Sequence, residues 1–409
     1  MMPVFDTSIQ TKIVDGSTDL GGKGWVLKDY IIEVYPNLAP DVKTPALWGW
    51  GNNDYGGLGI NSTGNRSSPV QTVTGGTKWK QVACGYGMTA AIKTDGTLWA
   101  WGLNSSGELG DNTTTNRSSP VQTVVGGTWN YIACGYRFTI GIKTDMTLWA
   151  WGANDWGQLG NNTTVPRSSP VQTIAGGTNW VQAACTHGGF RASAAIKADG
   201  TLWTWGRNTT GQLGDNTTTP RSSPVQTVTG GTTWKQVACG YGITAAVKTD
   251  GTLWLWGQNY QGQIGDGTTT RRTSPVQTVS AGTTWKQVAC GYRHCVAVKT
   301  DGTLWAWGVN SSGELGDGTV TNRASPVQTV ARGSTWKQVA CTGAFSTNTT
   351  AAIKADGTLW TWGANSYGRL GDNTTVTKSS PVQTVDRGTT WKQVAGGHRL
   401  FAAIADGNY

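Results

Sequence analysis

The sequence predicts an all-β fold, a seven-bladed β-propeller, on three observations. These are the period of its repeats, the number of strand-like runs per repeat, and the way its two ends share one repeat. The element L-W-x-W-G occurs seven times, with its second tryptophan at Trp50, Trp101, Trp151, Trp205, Trp256, Trp307 and Trp362, so the spacings are 51, 50, 54, 51, 51 and 55 residues. Two other elements keep step: variants of W-K-Q-V-A-C-G from Trp79 to Trp391, and S-P-V-Q-T with its proline at Pro69 through Pro381. Four short strands in each repeat of this length, seven times over, is the arithmetic of four-stranded blades around an axis. A linear solenoid would need polar caps at both ends, and the sequence offers none.

Residues 1–44 lie outside the repeat and read as an N-terminal arm; 45–409 reads as the propeller. In the arm, Val26, Leu27, Tyr30, Ile31, Val34 and Tyr35 recur at helical spacing, with Lys28, Asp29 and Glu33 between them. That spacing predicts one short amphipathic helix ended before Pro36. Its apolar stripe, together with Trp25, either packs on the protein's own surface or docks on a partner protein or a sister copy.

Each repeat reads as four strands, represented by WKQVAC, TAAIKT, TLWAW and PVQTV. Asp95-Gly96 separates the second from the third, and an Asp-Gly pair suits a two-residue hairpin with positive φ. The next repeat has Asp145-Met146 there, where positive φ is strained. The two tryptophans of L-W-x-W-G are two apart and share one face of the sheet. Large indoles on that face suit blade-to-blade packing. The last repeat starts at Trp391 and stops at Tyr409 before any L-W-x-W-G. The missing strand stands at the other end, as Leu47 to Gly51, so the N-terminal strand should complete the blade that the C-terminus begins. Such pairing closes the ring and removes open sheet edges.

Charged residues are only 13% of the chain, yet the net charge is +9. An anionic partner is one reading; repetition of a single surface choice is the simpler one, because no dense basic cluster occurs. One basic residue recurs before each S-P pair: Arg66, Arg117, Arg167, Arg221, Arg272, Arg323 and Lys378. This ring could meet phosphates, or its methylene stems could cover apolar loops. Two repeats are irregular after their cysteine, at THGGFRASAA and TGAFSTNTTAA. His187, Phe190, Arg191 and Phe345 in them are candidate interface anchors, since exposed aromatics and arginine are typical of interfaces; drift in a tolerant loop is the plainer reading.

Little points to catalysis. Cys84, Cys134, Cys185, Cys239, Cys290 and Cys341 share one repeat position and read as small packing groups. Cys295, beside His294, is the odd one, but adjacent strand residues face opposite ways and do not form a Cys-His pair. Asp111, Asp215, Asp266, Asp317 and Asp372 stand in G-D-[NG]-T-[TV] loops, where Asp and Thr make turn bonds more simply than a calcium site. No cofactor or metal motif is present, so the chain reads as a non-enzyme with neither. No run is apolar enough to span a bilayer, and the start lacks a Sec-type signal pattern.

The motif W-x-W-G-x-N-x-x-G-x-L-G, as at Trp101 through Gly110, with a V-x-C-G strand as at Val82 to Gly85, resembles the regulator of chromosome condensation repeat. The resemblance covers about residues 45–409. It implies a seven-bladed propeller that binds proteins through its loops. The family's exchange factor for a small GTPase uses an inserted β-wedge, and no insertion here is large enough. Where the family commonly has His after the Cys-Gly pair, this chain has Met88, Phe138, Ile243, His294 and Leu400. The exchange role is therefore not expected. The near-identical Asn/Thr/Ser-rich loops and the K-D-Y-x-x-x-x-Y-P-N phrase of Lys28 to Asn37 are also similar to proteins encoded by tailed bacteriophages. That similarity implies a virion component such as a capsid decoration, fibre or tail appendage, held by the arm on capsid or tail proteins. The alternative is a soluble regulatory propeller with a GTPase or chromatin partner, and a carbohydrate-binding module is third. Nucleic acid and membrane are not expected partners.

Overall fold

The structure is a computed structural model; it describes residues 12–14, 17–19, 25–27 and 45–406, except 74–77, 175–176, 187, 230, 280–281, 331–334, 344–347 and 386–389. It divides into two units, Pro45–Asp406 and a second made of Met1–Thr44 with Gly407–Tyr409.

The larger unit is seven four-stranded antiparallel sheets. Blade 1 runs through Trp79–Cys84, Met88–Lys93, Leu98–Gly102 and Arg117–Gln122. Blades 2 to 6 repeat it, beginning at Trp129, Trp180, Trp234, Trp285 and Trp336. Blade 7 is composite: Trp391–Gly396 and Leu400–Asp406 pair with Pro45–Gly51 and Arg66–Gln71 from the other end of the chain. Leu400 faces Gly51 and Asp406 faces Pro45 in that seam, which closes the ring as the shared repeat predicts. The proline of S-P-V-Q sits in the outermost strand, where a missing N–H costs no ladder bond.

The core lies between blades. The second tryptophan of each pair is buried, and its Nε1–H donates to a carbonyl in the loop of the preceding blade: Trp101 to Gly57 at 3.0 Å, Trp151 to Glu108 at 2.9 Å, and Trp50 to Arg369 at 2.9 Å across the seam. Gly110 shows why that loop must end in glycine. Its φ is +70°, and a Cβ would lie 2.8 Å from the Trp151 Nε1.

A second lock lies along the axis. Gln81 reaches to the next blade, where its Oε1 accepts from Ile132 N–H at 3.0 Å and its Nε2 donates to the Ile132 carbonyl at 3.1 Å. Gln236, Gln287 and Gln338 repeat this bridge, and Gln182 accepts from Val237 N–H at 3.0 Å. Gln393 closes the circle on Val82, at 3.0 and 3.2 Å. In blade 2 the position holds Tyr131 instead. These strands enclose an axial channel of about 230 Å³.

Two expectations need correction. The second and third strands are joined by three residues, not two: Lys93 N–H bonds the Thr97 carbonyl at 3.0 Å, and only Gly96 has positive φ, at +83°. This is a type I turn with an αL residue, and Asp95 is its clamp, accepting from Thr97 N–H and Oγ1 at 2.8 and 2.7 Å. Met146 adopts the same strained φ, +62°.

The arm helix is the second. Trp25–Leu27 is a strand, paired antiparallel with Ser17–Asp19, which pairs in turn with Lys12–Val14. Trp and Val are strand formers, and a neighbouring edge to pair with outweighs a short helical period. Tyr30, Ile31, Val34 and Tyr35 lie outside the described residues.

Candidate functional site

Antiparallel order puts all loops between first and second strands at one end of the ring, and the loops from third to fourth strand start at that same end. The three-residue hairpins and the links between blades occupy the other end. Among the described residues the first end carries the stacked tyrosine and arginine side chains set out below.

Around the axis there, the residue after each Cys-Gly pair forms a partial crown. Tyr86 lies 4.5 Å from Tyr136 and 4.3 Å from His398, between ring centroids, while Tyr241 lies 3.9 Å from Tyr292. Tyr55, from a loop of blade 7, approaches Tyr86 at 6.2 Å. Arginines one position further on lie over these rings or, for Arg399, over Tyr367 in the loop from third to fourth strand of blade 6. Arg137 sits 5.6 Å from both Tyr86 and Tyr136; Arg293 is 5.0 Å from Tyr292; Arg399 is 5.4 Å from Tyr367. Stacked guanidiniums keep a fixed plane and remain available as donors.

The irregular loop of blade 3 joins this face. Phe190 packs edge-on against Tyr241 at 4.4 Å, Arg191 stacks on Tyr136 at 5.3 Å and pairs with Asp155, and Arg207 lies 4.6 Å from Phe190 and 4.8 Å from Trp156. Burial, with Arg137 and Arg207 nearby, holds the Arg191 guanidinium below its usual pKa. Arg369 is buried and pushed down to about 10, first by burial and then by Arg399. His187 and Phe345 lie outside the described residues.

Below the crown, Glu108 and Glu314 are fully buried. Burial raises the pKa of both, more than hydrogen bonds from Ser106 N–H to Glu108, or from Asn348 and Ser312 N–H to Glu314, lower it. The equivalent positions in blades 2 to 4 hold Gln158, Gln212 and Gln263, the neutral isosteres.

The basic residues before S-P sit on the rim, and four hold internal carboxylates. Arg117 pairs with Asp111 at 3.1 Å, Arg221 with Asp215 at 2.9 Å, Arg272 with Asp266 at 2.6 Å and Arg323 with Asp317 at 3.0 Å. Each Asp also accepts from a Thr two residues on, as Asp111 does from Thr113 N–H and Oγ1 at 3.1 and 2.7 Å. Burial alone would raise the Asp111 pKa, but Thr113, Asn104 and Arg117 together hold it down. Two repeats lack the carboxylate: Asn161 stands at this position in blade 2 and Ile60 in blade 7. Their arginines, Arg167 and Arg66, show no ion pair among the described residues. Arg66 instead donates to the Asn65 carbonyl at 3.2 Å; Lys378 likewise shows no ion pair among the described residues.

On the opposite face six lysines lie between paired indoles, such as Lys93 at 5.3 Å from Trp79 and 4.7 Å from Trp99.

His294 and Cys295 do face opposite ways. His294 Nε2 meets Thr350 Oγ1 at 3.0 Å in the next blade. Because Thr350 Oγ1 itself donates to the Glu314 carbonyl at 2.8 Å, Nε2 carries the imidazole proton. Burial pushes the His294 pKa down to about 3, so the ring is neutral. Cys295 is joined to its register partner Cys290, with Cα atoms 4.3 Å apart. The sequence reading missed that pair, which forms because the register of this hairpin sets Cys295 opposite Cys290. The tyrosine crown was missed as well; its signal was the recurring C-G-Y, read only for its cysteine. Among the described residues no group of His, Cys, Asp or Glu is placed to hold a metal ion, and no helix is long and apolar enough to cross a membrane.

The profile of the RCC1-like domain matches residues 183–409, and that of the regulator of chromosome condensation (RCC1) repeat matches 46–92, 95–142 and 147–189. The ultraviolet-B receptor UVR8 of Arabidopsis thaliana is 29% identical over 340 residues, covering 82% of this chain and 64% of the receptor. The human E3 ubiquitin-protein ligase HERC2 is 31% identical over 237 residues, 55% of this chain but 5% of the ligase. The chain thus spans less than two thirds of these relatives. Among solved structures, human WBSCR16 superposes with a TM-score of 0.78 at 22% identity, covering 90% of this chain and all of that one. Yeast RCC1 (Prp20), solved bound to Kap60, gives 0.77 at 18% identity, covering 92% of each chain; Prp20p of Saccharomyces cerevisiae has also been described with its binding properties to Gsp1p and histones. At these identities the likeness to solved structures shows the fold.

Proposed function

Since the chain belongs to the RCC1-like domain family, we propose that it is a non-enzymatic regulatory propeller that binds a partner protein through the tyrosine and arginine face. One observation carries the reading: the rigid rings and stacked guanidiniums at one end of the axis, while four of the rim arginines are tied up in internal ion pairs. Tyrosine and arginine are the side chains that dominate binding energy at interfaces. The relatives support this reading over a virion appendage. They include proteins whose names or titles describe a receptor, binding to Gsp1p and histones, or a complex with Kap60, and none of those named here is a capsid or tail protein.

The test is capture with mass spectrometry from the source lysate, using the intact chain, residues 45–409, and two variants. Tyr136→Ala with Arg137→Ala alters the face. Lys235→Ala with Lys286→Ala alters the opposite end. The reading expects one partner with the intact chain, its loss in the face variant, and its retention in the other two. Loss only when residues 1–44 are removed would move binding to the arm residues Trp25, Val26, Leu27, Tyr30, Ile31, Val34 and Tyr35. Loss only in the lysine variant would move it to the other end.

A further inference from the structure

We propose that the arginines of this face form a receptor for an acidic segment of the partner, a stretch rich in Asp and Glu carboxylates. The proposal deepens the protein-binding reading and rests on it.

The protein treats its two sets of arginines differently. On the rim, the fold supplies an aspartate to Arg117, Arg221, Arg272 and Arg323. On the crown it supplies almost none. Arg191 has Asp155, but Arg137, Arg293 and Arg399 have no ion pair among the described residues. Their Nε–H groups are buried and find no acceptor among the described residues, so the outer arms of each fork are what a partner would meet. Glu108 is near enough to Arg137 for their charges to interact, but the two form no ion pair.

Like charges are nevertheless brought together. Arg137 and Arg191 share the Tyr136 ring, and Arg207 is close enough to Arg191 to act on its charge. Arg369 and Arg399 share Tyr367 in the same way. Such clusters carry mutual repulsion that a bound anion relieves. Carboxylates match a guanidinium fork in pairs, and stacking on a ring has already fixed the plane of each fork.

The occupant is a peptide and not a single-stranded nucleic acid for a geometric reason. Nucleic-acid platforms need open aromatic faces on which bases stack. Here the rings are tilted against one another and lie under guanidiniums. An extended chain with carboxylates can serve the clusters of blades 2–3 and 6–7 together.

The experiment is fluorescence anisotropy of the intact protein with a short labelled peptide of alternating Glu and Gly. A Gln and Gly peptide of equal length, inorganic phosphate and a single-stranded oligonucleotide are the comparison ligands. The expected result is salt-sensitive binding of the acidic peptide alone, weakened at least about tenfold in the triple variant Arg137→Gln, Arg293→Gln, Arg399→Gln. The triple variant Lys235→Gln, Lys286→Gln, Lys337→Gln removes the same charge from the other end and should stay within about twofold of the parent. Arg137→Lys, which keeps the charge but loses the fork, should weaken binding with its thermal unfolding unchanged. Equal weakening in both triple variants overturns the proposal, because net charge alone then explains binding. So does tighter binding of phosphate or oligonucleotide than of peptide, or absence of peptide binding. If the captured partner still needs Tyr136 and Arg137 but ignores salt, the acidic-segment proposal fails while the protein-binding reading stands.

Discussion

Met146 is the residue where one repeat departs from the rule that the other hairpins obey. It holds φ near +62° with its side chain largely in solvent, so no packing compensates the strained backbone. Met146→Gly should therefore raise stability by about 0.5–1 kcal/mol, the αL relief less the added unfolded-state entropy, read as the shift of a urea midpoint at unchanged slope. Glu108 is a second such residue. Its folded pKa is raised by burial, so the stability it contributes is complete below the ordinary carboxyl range and is lost as pH rises through the raised value. Glu108→Gln copies Gln158 of the next blade. It should stabilise by about 1 kcal/mol at neutral pH and by nothing near pH 4, where both side chains are neutral. A gain that stays constant across that range would show that the buried carboxyl is not titrating.

At the level of the element, the loop from third to fourth strand is organised by one asparagine. Asn259 Oδ1 accepts from Ile264 N–H at 2.9 Å, while its Nδ2 donates to the Thr268 and Thr270 carbonyls, both at 3.0 Å. The fold places this loop under the indole of the following blade, where its Gln263 carbonyl receives Trp307 Nε1–H at 2.9 Å. Asn259→Ala leaves the buried Ile264 N–H and two partly buried carbonyls unmet and should cost about 2 kcal/mol in thermal or urea unfolding. Replacing the exposed Tyr260 beside it with Ala should cost less than about 0.5 kcal/mol, which separates the hydrogen-bonding role from mere position in the loop.

For the whole molecule, closure depends on two circles of contact. One is the strand seam of Pro45–Gly51 with Leu400–Asp406; the other is the glutamine bridge from blade to blade. Gln393→Ala removes both bonds to Val82 and should lower stability by about 1–2 kcal/mol. Tyr131→Gln runs the other way. It offers the missing bridge toward Ala183 and should raise the melting temperature by about 2 °C in calorimetry. No gain there would mean that the partly buried Tyr131 ring already compensates for the lost bridge.

The amino-acid sequence by itself determined the ring. The period, the four strand-like runs and the divided last repeat all survive any rotation of the pattern. Each depends on local alternation and turn residues that are visible along the chain, as in Trp99-Ala100-Trp101 and Asp95-Gly96. It also exposed the strained Met146 and the two faces of His294 and Cys295, because strand alternation is a local property. The tertiary structure alone decided the rest. Gln81 and its equivalents read as ordinary polar strand residues until the neighbouring blade supplied an N–H and a carbonyl to bridge. Trp25 to Leu27 fits a helical stripe equally well until a partner strand appears beside it. Arg117 and Arg137 look alike in the chain; one meets Asp111 and the other meets two tyrosine rings, from different blades. Which charges are satisfied is a matter of what lies across a gap of three to six ångströms: Asp111 is six positions from Arg117, whereas Tyr86 is fifty-one from Arg137 and meets it only because neighbouring blades pack.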